Sequence, residues 1–146
     1  VDINQLINEL VVPLGTAMLC GFAIGFERQW HHKAAGLRTN VLACMGSALF
    51  VLLSYKMTQP TGDVTRIAAQ VVTGIGFLGA GIIFKEGLSV HGLTTAVTIW
   101  CSSAIGSMAG ANLPAEAIAG TISIVLINIA LKPLDAWLDK RGKENP

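Results

Sequence analysis

With 146 residues, a formal net charge of +1, 52% hydrophobic side chains and only 13% charged ones, this chain has a mean hydropathy of +0.59. Soluble domains carry about 25% charged residues, so charge is depleted roughly twofold, against the composition of a water-soluble globular protein. The sequence holds no polybasic patch with interleaved aromatics, which sets nucleic acid aside as a partner.

Five apolar stretches divide the chain: Leu6–Phe26, Asn40–Met57, Ala68–Phe84, Leu93–Gly110 and Pro114–Lys132. Crossing about 30 Å of hydrocarbon at about 1.5 Å per residue takes roughly 20 apolar residues. Each stretch falls near that length, and the polar connections between them hold nearly every charge. The fold expected is an all-α membrane protein, a compact bundle of five transmembrane helices over residues 1–132, with the lipid bilayer as its surroundings. The chain begins at Val1 and not Met, as a processed or trimmed start would. The first stretch has no basic leader or small-residue cleavage site, so it reads as a retained helix and not a signal peptide.

The first helix carries Gly21-x-x-x-Gly25, a spacing that lets helix backbones approach closely in lipid. The connection Glu27–Thr39 follows, the most chemically dense segment of the chain. Glu27 and Arg28 close helix one, and Arg38 opens helix two; the cluster can neutralise itself, bind anionic lipid or grip a partner. At the start of helix three, Arg66 and Gln70 lie one turn apart, the spacing of an interhelical clamp. Ala69, Thr73, Gly76 and Ala80 then form a small-residue face, with Gly74 and Gly81 beside it.

The run Gly74–Gly79 matches the dinucleotide-binding fingerprint by letter, but has no preceding strand and no acidic residue about 20 positions on. Two readings of Gly74, Gly76, Gly79 and Gly81 stay open. They line the smooth face of an unbroken helix, which is preferred, or they interrupt the helix as in transporters that bind substrate at unwound segments. Helix four opens with Gly92-Leu93-Thr94-Thr95, where a Thr hydroxyl is placed to cap free backbone N–H groups. Ser103, Gly106 and Gly110 repeat the small-residue rhythm. Helices one, three and four are therefore expected at the tight centre of the bundle, with Trp100 packed between helices. The small-residue faces also predict a homodimer or larger homo-oligomer.

After Lys132 the pattern changes. Pro133 suits the first turn of a new helix, and Leu131, Leu134 and Leu138 oppose Asp135, Asp139, Lys140 and Arg141. Residues 133–146 read as a short amphipathic cytoplasmic helix anchored by Trp137, its end at Gly142–Pro146 a linker. Sorting cations by loop puts Arg28, Lys33, Arg38, Lys85, Lys132, Lys140, Arg141 and Lys143 on one side, with only Lys56 and Arg66 on the other. Positive charge gathers on the cytoplasmic side, so the N-terminus is expected outside and the C-terminus in the cytoplasm.

None of the nine acidic residues falls mid-span. Mid-span polarity comes from hydroxyls such as Thr73, Thr98, Ser102 and Ser103, with Gln70 and Asn128 nearer the ends; these can bridge helices. Glu9, Asp63 and Glu116 are either solvated boundary carboxylates or an outer acidic mouth for a cation. His31, His32 and His91 do not share a face suited to a metal, and no metal or cofactor is expected. Cys20, Cys44 and Cys101 lie inside apolar segments without Cys-x-x-Cys spacing and read as small apolar residues. No nucleophile–base set falls at one depth, so no enzyme is indicated.

Taken together, Gly25–Trp30, Ala35–Asn40, Arg66–Val72, Gly74–Gly81 and Gly92–Ala96 resemble the MgtC/SapB family of bacterial inner-membrane proteins, in matching order from helix one to helix five. The resemblance implies a five-helix membrane domain with a cytoplasmic C-terminus. It also implies a role in magnesium homeostasis and growth at low magnesium and, in pathogens, in virulence and survival inside macrophages. Some members are thought to restrain the F-type ATP synthase or other membrane ATPases; others are labelled magnesium transporters. Many carry a soluble ACT-like domain after helix five; this chain ends before one, as a short form or a truncated piece of a longer protein would. At Thr94 the best-known members resemble Gly-Leu-Asn-Thr, so a role for an Asn amide there transfers only weakly. The first expectation is a non-enzymatic membrane regulator acting through other membrane proteins; the alternative is a transporter or channel for magnesium or another cation.

Overall fold

A computed structural model describes residues 2–58 and 62–144. Helix α1 spans Ile3–Trp30, α2 Leu37–Met57, α3 Thr65–Ile82, α4 Leu93–Gly110 and α5 Pro114–Glu144. Within α1 one wider turn covers Ile7–Val11. Its cause is Pro13, whose ring lacks an N–H and crowds the carbonyl four residues back, at Glu9.

Four of these helices, all but α4, are long and apolar enough to cross a membrane by length and composition. α4 falls short because Thr94, Thr95, Thr98, Ser102, Ser103 and Ser107 lower its hydropathy. Its position explains how those hydroxyls are tolerated: α4 packs against all four other helices, most extensively against α2. In lipid a hydroxyl finds partners only on its own or a neighbouring helix, so the hydroxyl-rich helix gains most from the centre.

The centre therefore differs from the sequence expectation. It is built from α1, α2 and α4, and α3, expected there, lies at the periphery against α4 and, more thinly, α2. The core is made of small side chains, with Ala17, Cys20 and Ile24 of α1 meeting Cys44 and Ala48 of α2 and Ile105 and Ala109 of α4. Glycine makes the approach possible. A Cβ on Gly106 would collide with the Cys44 carbonyl, and one on Gly110 would lie 2.6 Å from the Ala48 carbonyl oxygen. On α1, a Cβ at Gly21 would sit 2.8 Å from the Val41 Cα, and one at Gly25 2.6 Å from the Leu37 Cα. Gly21 and Gly25 are thus spent inside the chain and present no face to a second copy.

Three other expectations change. Between α3 and α4 the chain forms a hairpin, β1 Phe84–Glu86 pairing antiparallel with β2 Ser89–His91; helix three stops at Ile82, short of the expected Phe84. Its glycines do not interrupt it, as the preferred reading held. Trp100 is half exposed and so is not enclosed between helices. Finally, α5 runs through Pro133 without a break, so the amphipathic tail is a continuation of the fifth helix and not a separate one. Residues 145 and 146 of the expected linker lie outside the described residues.

Candidate functional site

Where α1 ends and α4 begins, the helices bury a layer of polar groups. Glu27 and Arg28 are 7% and 2% exposed. Consecutive residues on a helix point about 100° apart and do not face each other, and here they reach different neighbours. Arg28 Nη2 donates to Thr95 Oγ1 of α4 at 3.0 Å. Glu27 Oε2 accepts from Asn128 Nδ2 of α5 at 3.2 Å, across 101 residues of sequence. Its other oxygen, Oε1, lies 2.9 Å from His31 Nδ1, which also lies 2.9 Å from the Glu27 carbonyl. Both neighbours are acceptors, so Nδ1 carries the proton.

The layer continues inward through Asn40, which is fully buried. Its Nδ2 donates to the carbonyls of Ala35 at 3.1 Å and Gly36 at 2.9 Å, and its Oδ1 accepts from Ser102 Oγ at 2.8 Å. Ser47 and Ser103 pair hydroxyl to hydroxyl at 2.7 Å, and Cys44 Sγ donates to the Ser102 carbonyl at 3.0 Å. Among the described buried side-chain atoms, Arg28 Nε alone has no partner. The network joins α1, α2, α4 and α5; none of its hydrogen bonds reaches α3.

Two opposite charges in sequence neighbours cancel in net charge, which lowers the cost of several kcal/mol for taking each ion out of water. The arrangement supplies donors and acceptors held rigid at one end of the bundle. It places no activated nucleophile beside a base.

The sequence candidates divide accordingly. Glu27, Arg28 and Thr95 meet in the layer. Arg38 and Thr94 are exposed beside it, and no Thr side chain caps α4, whose N-cap is Gly92. Gly92 is required there: its φ of +86° is left-handed, and a Cβ would strike the Ile82 carbonyl. Arg66 and Gln70 are exposed at the opposite end and make no side-chain hydrogen bond to another helix among the described residues. On α3, Gly79 touches Ala96 of α4, whereas a methyl placed on Gly74, Gly76 or Gly81 would meet nothing within 4 Å. Of the mid-span hydroxyls, Ser102 and Ser103 bridge helices; Thr73 and Thr98 bond only to their own helix.

Asn40, Ser47 and Asn128 carry more of the site than the sequence reading assigned them. A polar side chain in an otherwise apolar span is the mark that identifies such residues, because lipid leaves it no other partner.

At the far end, Glu9 is engaged by Gln5 at 2.8 Å and Lys56 at 3.3 Å. Asp63 accepts from the Thr65 hydroxyl and backbone N–H, and these bonds hold its carboxyl below the usual carboxylate range. No group of three or more His, Cys, Asp or Glu suited to a metal occurs among the described residues.

A model of the MgtC family matches residues 14–137. The protein named MgtC of Brucella abortus is 53% identical over 137 residues, covering 91% of this chain and 57% of its own length. That of Salmonella paratyphi A is 51% identical over 147 residues, covering 94% of this chain and 63% of its own length. An uncharacterized protein of Synechocystis is 48% identical over 132 residues, 90% of this chain and 56% of its own length. The chain thus spans about three fifths of the relatives it matches. No solved structure matches it.

Proposed function

The chain belongs to the MgtC family, and from that membership and the bundle's construction we propose that it is a non-enzymatic membrane regulator serving adaptation to low magnesium. It resides in the bacterial inner membrane with its Glu27 end toward the cytoplasm, as the distribution of Lys and Arg supports. It acts through contact with other membrane proteins, the F-type ATP synthase being the candidate the family resemblance supplies. Self-association belongs to the same proposal, through the exposed row Ala69, Thr73, Gly76 and Ala80 of α3.

The observation that carries this reading is the closure of the polar layer on itself. Asn40, Ser47, Ser102 and Ser103 bond to one another across α2 and α4, and the glycine contacts close the centre around them. That centre is a joint between helices, while the outer faces of α3 and α5 stay accessible.

The alternative is a magnesium or other cation transporter. A recess of about 400 Å³ lined by Asn8, Glu9, Tyr55, Lys56 and Asn112 offers it oxygen ligands. Lys56, however, already supplies the positive charge beside Glu9 that an incoming cation would bring.

Two measurements decide between them. Purified protein in liposomes with a magnesium-sensitive dye is expected to give no flux above empty vesicles; flux abolished by Glu9→Gln or Glu116→Gln establishes the transporter. Inverted vesicles containing F-type ATP synthase are expected to show slower ATP-driven proton uptake when the protein is present; an unchanged rate removes that partner.

A further inference from the structure

A groove between α2 and α3 has the shape and charge of a lipid site. Its deeper part is an apolar slot of about 540 Å³ running past Gly46 and Phe50 of α2 and Gly74 and Leu78 of α3. A second recess of about 660 Å³ at the Glu9 end contains Thr58, Asp63 and Arg66, and shares Ile67 and Gln70 with the slot. The two are therefore one amphipathic channel along the bundle surface, apolar inside and charged at its mouth.

Glycine keeps it open. Gly46 of α2 and Gly74 of α3 both line the slot, and a Cβ on either would meet nothing within 4 Å. Unlike Gly106, neither is needed for helix approach, although glycine inside a helix costs about 1 kcal/mol relative to Ala. What they provide is room. From Ile67 to Leu78 the slot follows 12 residues of α3, about 17 Å at the helical rise; one leaflet of hydrocarbon is about 15 Å deep.

The mouth carries one charge of each sign. Arg66 has no ion-pair partner among the described residues. Asp63 uses Oδ1 for both hydrogen bonds from Thr65, which leaves Oδ2 without a partner among the described residues. A guanidinium suits a phosphate, and a free carboxylate oxygen suits an ammonium that still has N–H donors.

We propose that this channel holds one phospholipid of the phosphoethanolamine type, with an acyl chain along the slot, its phosphate at Arg66 and its ammonium at Asp63. The site stands apart from the regulatory reading, since lipid retention and magnesium flux are read by different experiments.

Native mass spectrometry of the protein released from nanodiscs of mixed phosphatidylethanolamine, phosphatidylglycerol and phosphatidylcholine tests it. One phosphatidylethanolamine per chain is expected to survive, at least fivefold over phosphatidylcholine, whose methylated ammonium has no donor. Gly74→Leu fills the slot and lowers retention at least tenfold; Gly46→Val does so from the opposite wall and carries the test if the first variant does not fold. Asp63→Asn brings phosphatidylethanolamine down to the phosphatidylcholine level, and Arg66→Gln weakens all three lipids. Equal retention by Gly74→Leu and the parent overturns the proposal. So does the absence of a headgroup preference, or a loss of dimer in place of lipid with Gly74→Leu, which assigns the groove to a second copy.

Discussion

Helices α3 and α4 are each 18 residues long and each carries glycine at helical spacing, yet they do opposite things. α4 lies at the centre, with ten of its residues buried, its hydroxyls bonded to Asn40 and Ser47 and its glycines against the α2 backbone. α3 lies at the edge, with only Ile75 and Gly79 buried and its remaining glycines open. The difference is polarity. α3 carries two hydroxyls, Thr65 and Thr73, with Thr73 bonded to its own helix, whereas α4 carries six, of which Ser102 and Ser103 find partners on α2 and Thr95 on α1, partners that lipid does not supply. In a membrane the helix that must be covered is the polar one, and glycine then follows as the means of covering it closely.

The largest expected effect tests the polar end of that centre. Arg28→Met removes one of two opposite buried charges together with the bond to Thr95, leaving Glu27 with only His31 as a neighbour able to carry positive charge, so a loss at the lower end of about 3–5 kcal/mol is expected. Thermal or SDS-induced unfolding of the purified protein measures it. The double variant Glu27→Gln with Arg28→Met is expected to recover part of the loss, since the two charges are coupled. Strict additivity breaks the claim that they compensate each other.

Next comes Gly106→Ala. Its methyl would meet the Cys44 backbone, which cannot rotate away as a side chain could, so the cost falls near the upper end of the overpacking range, about 3 kcal/mol. Asn40→Ala follows at about 2 kcal/mol, by the loss of hydrogen bonds worth roughly 0.6–2 kcal/mol each between membrane helices. Asn40→Asp keeps the acceptor for Ser102 but loses the donors to Ala35 and Gly36; it is expected to be no better than Ala.

Much of this was legible in the chain. The five helices follow from length and hydropathy, and the joining of Arg28 to the N-terminal turn of α4 lies where the charges and Thr95 were singled out. What was not legible is which helix sits in the middle, because small-residue spacing is shared by Gly74, Gly76 and Gly81, which pack on nothing in this chain, and by Gly106 and Gly110, which define it. The hairpin Phe84–His91 also escaped notice, its three-residue strands being too short to show a period of two. Asn128 and Glu27 are 101 residues apart, a pairing fixed by the parallel arrangement of α1 and α5 and by nothing local.

The smallest effect is the most discriminating. Gly76→Ala places a methyl where nothing lies within 4 Å and replaces a poor helix former by the best one, worth up to about 1 kcal/mol in a helix interior. The monomer's stability is expected to be unchanged or raised slightly, the reverse of Gly106→Ala under the same unfolding conditions. Gly76 is also two residues from Gly74, about 200° around the helix, so a bulkier Gly76→Leu leaves the lipid slot untouched while obstructing the Ala69–Ala80 row. Crosslinking of this variant separates the two faces of α3. Loss of the crosslinked dimer with full lipid retention assigns the row to self-association, whereas an unchanged dimer removes α3 from that role.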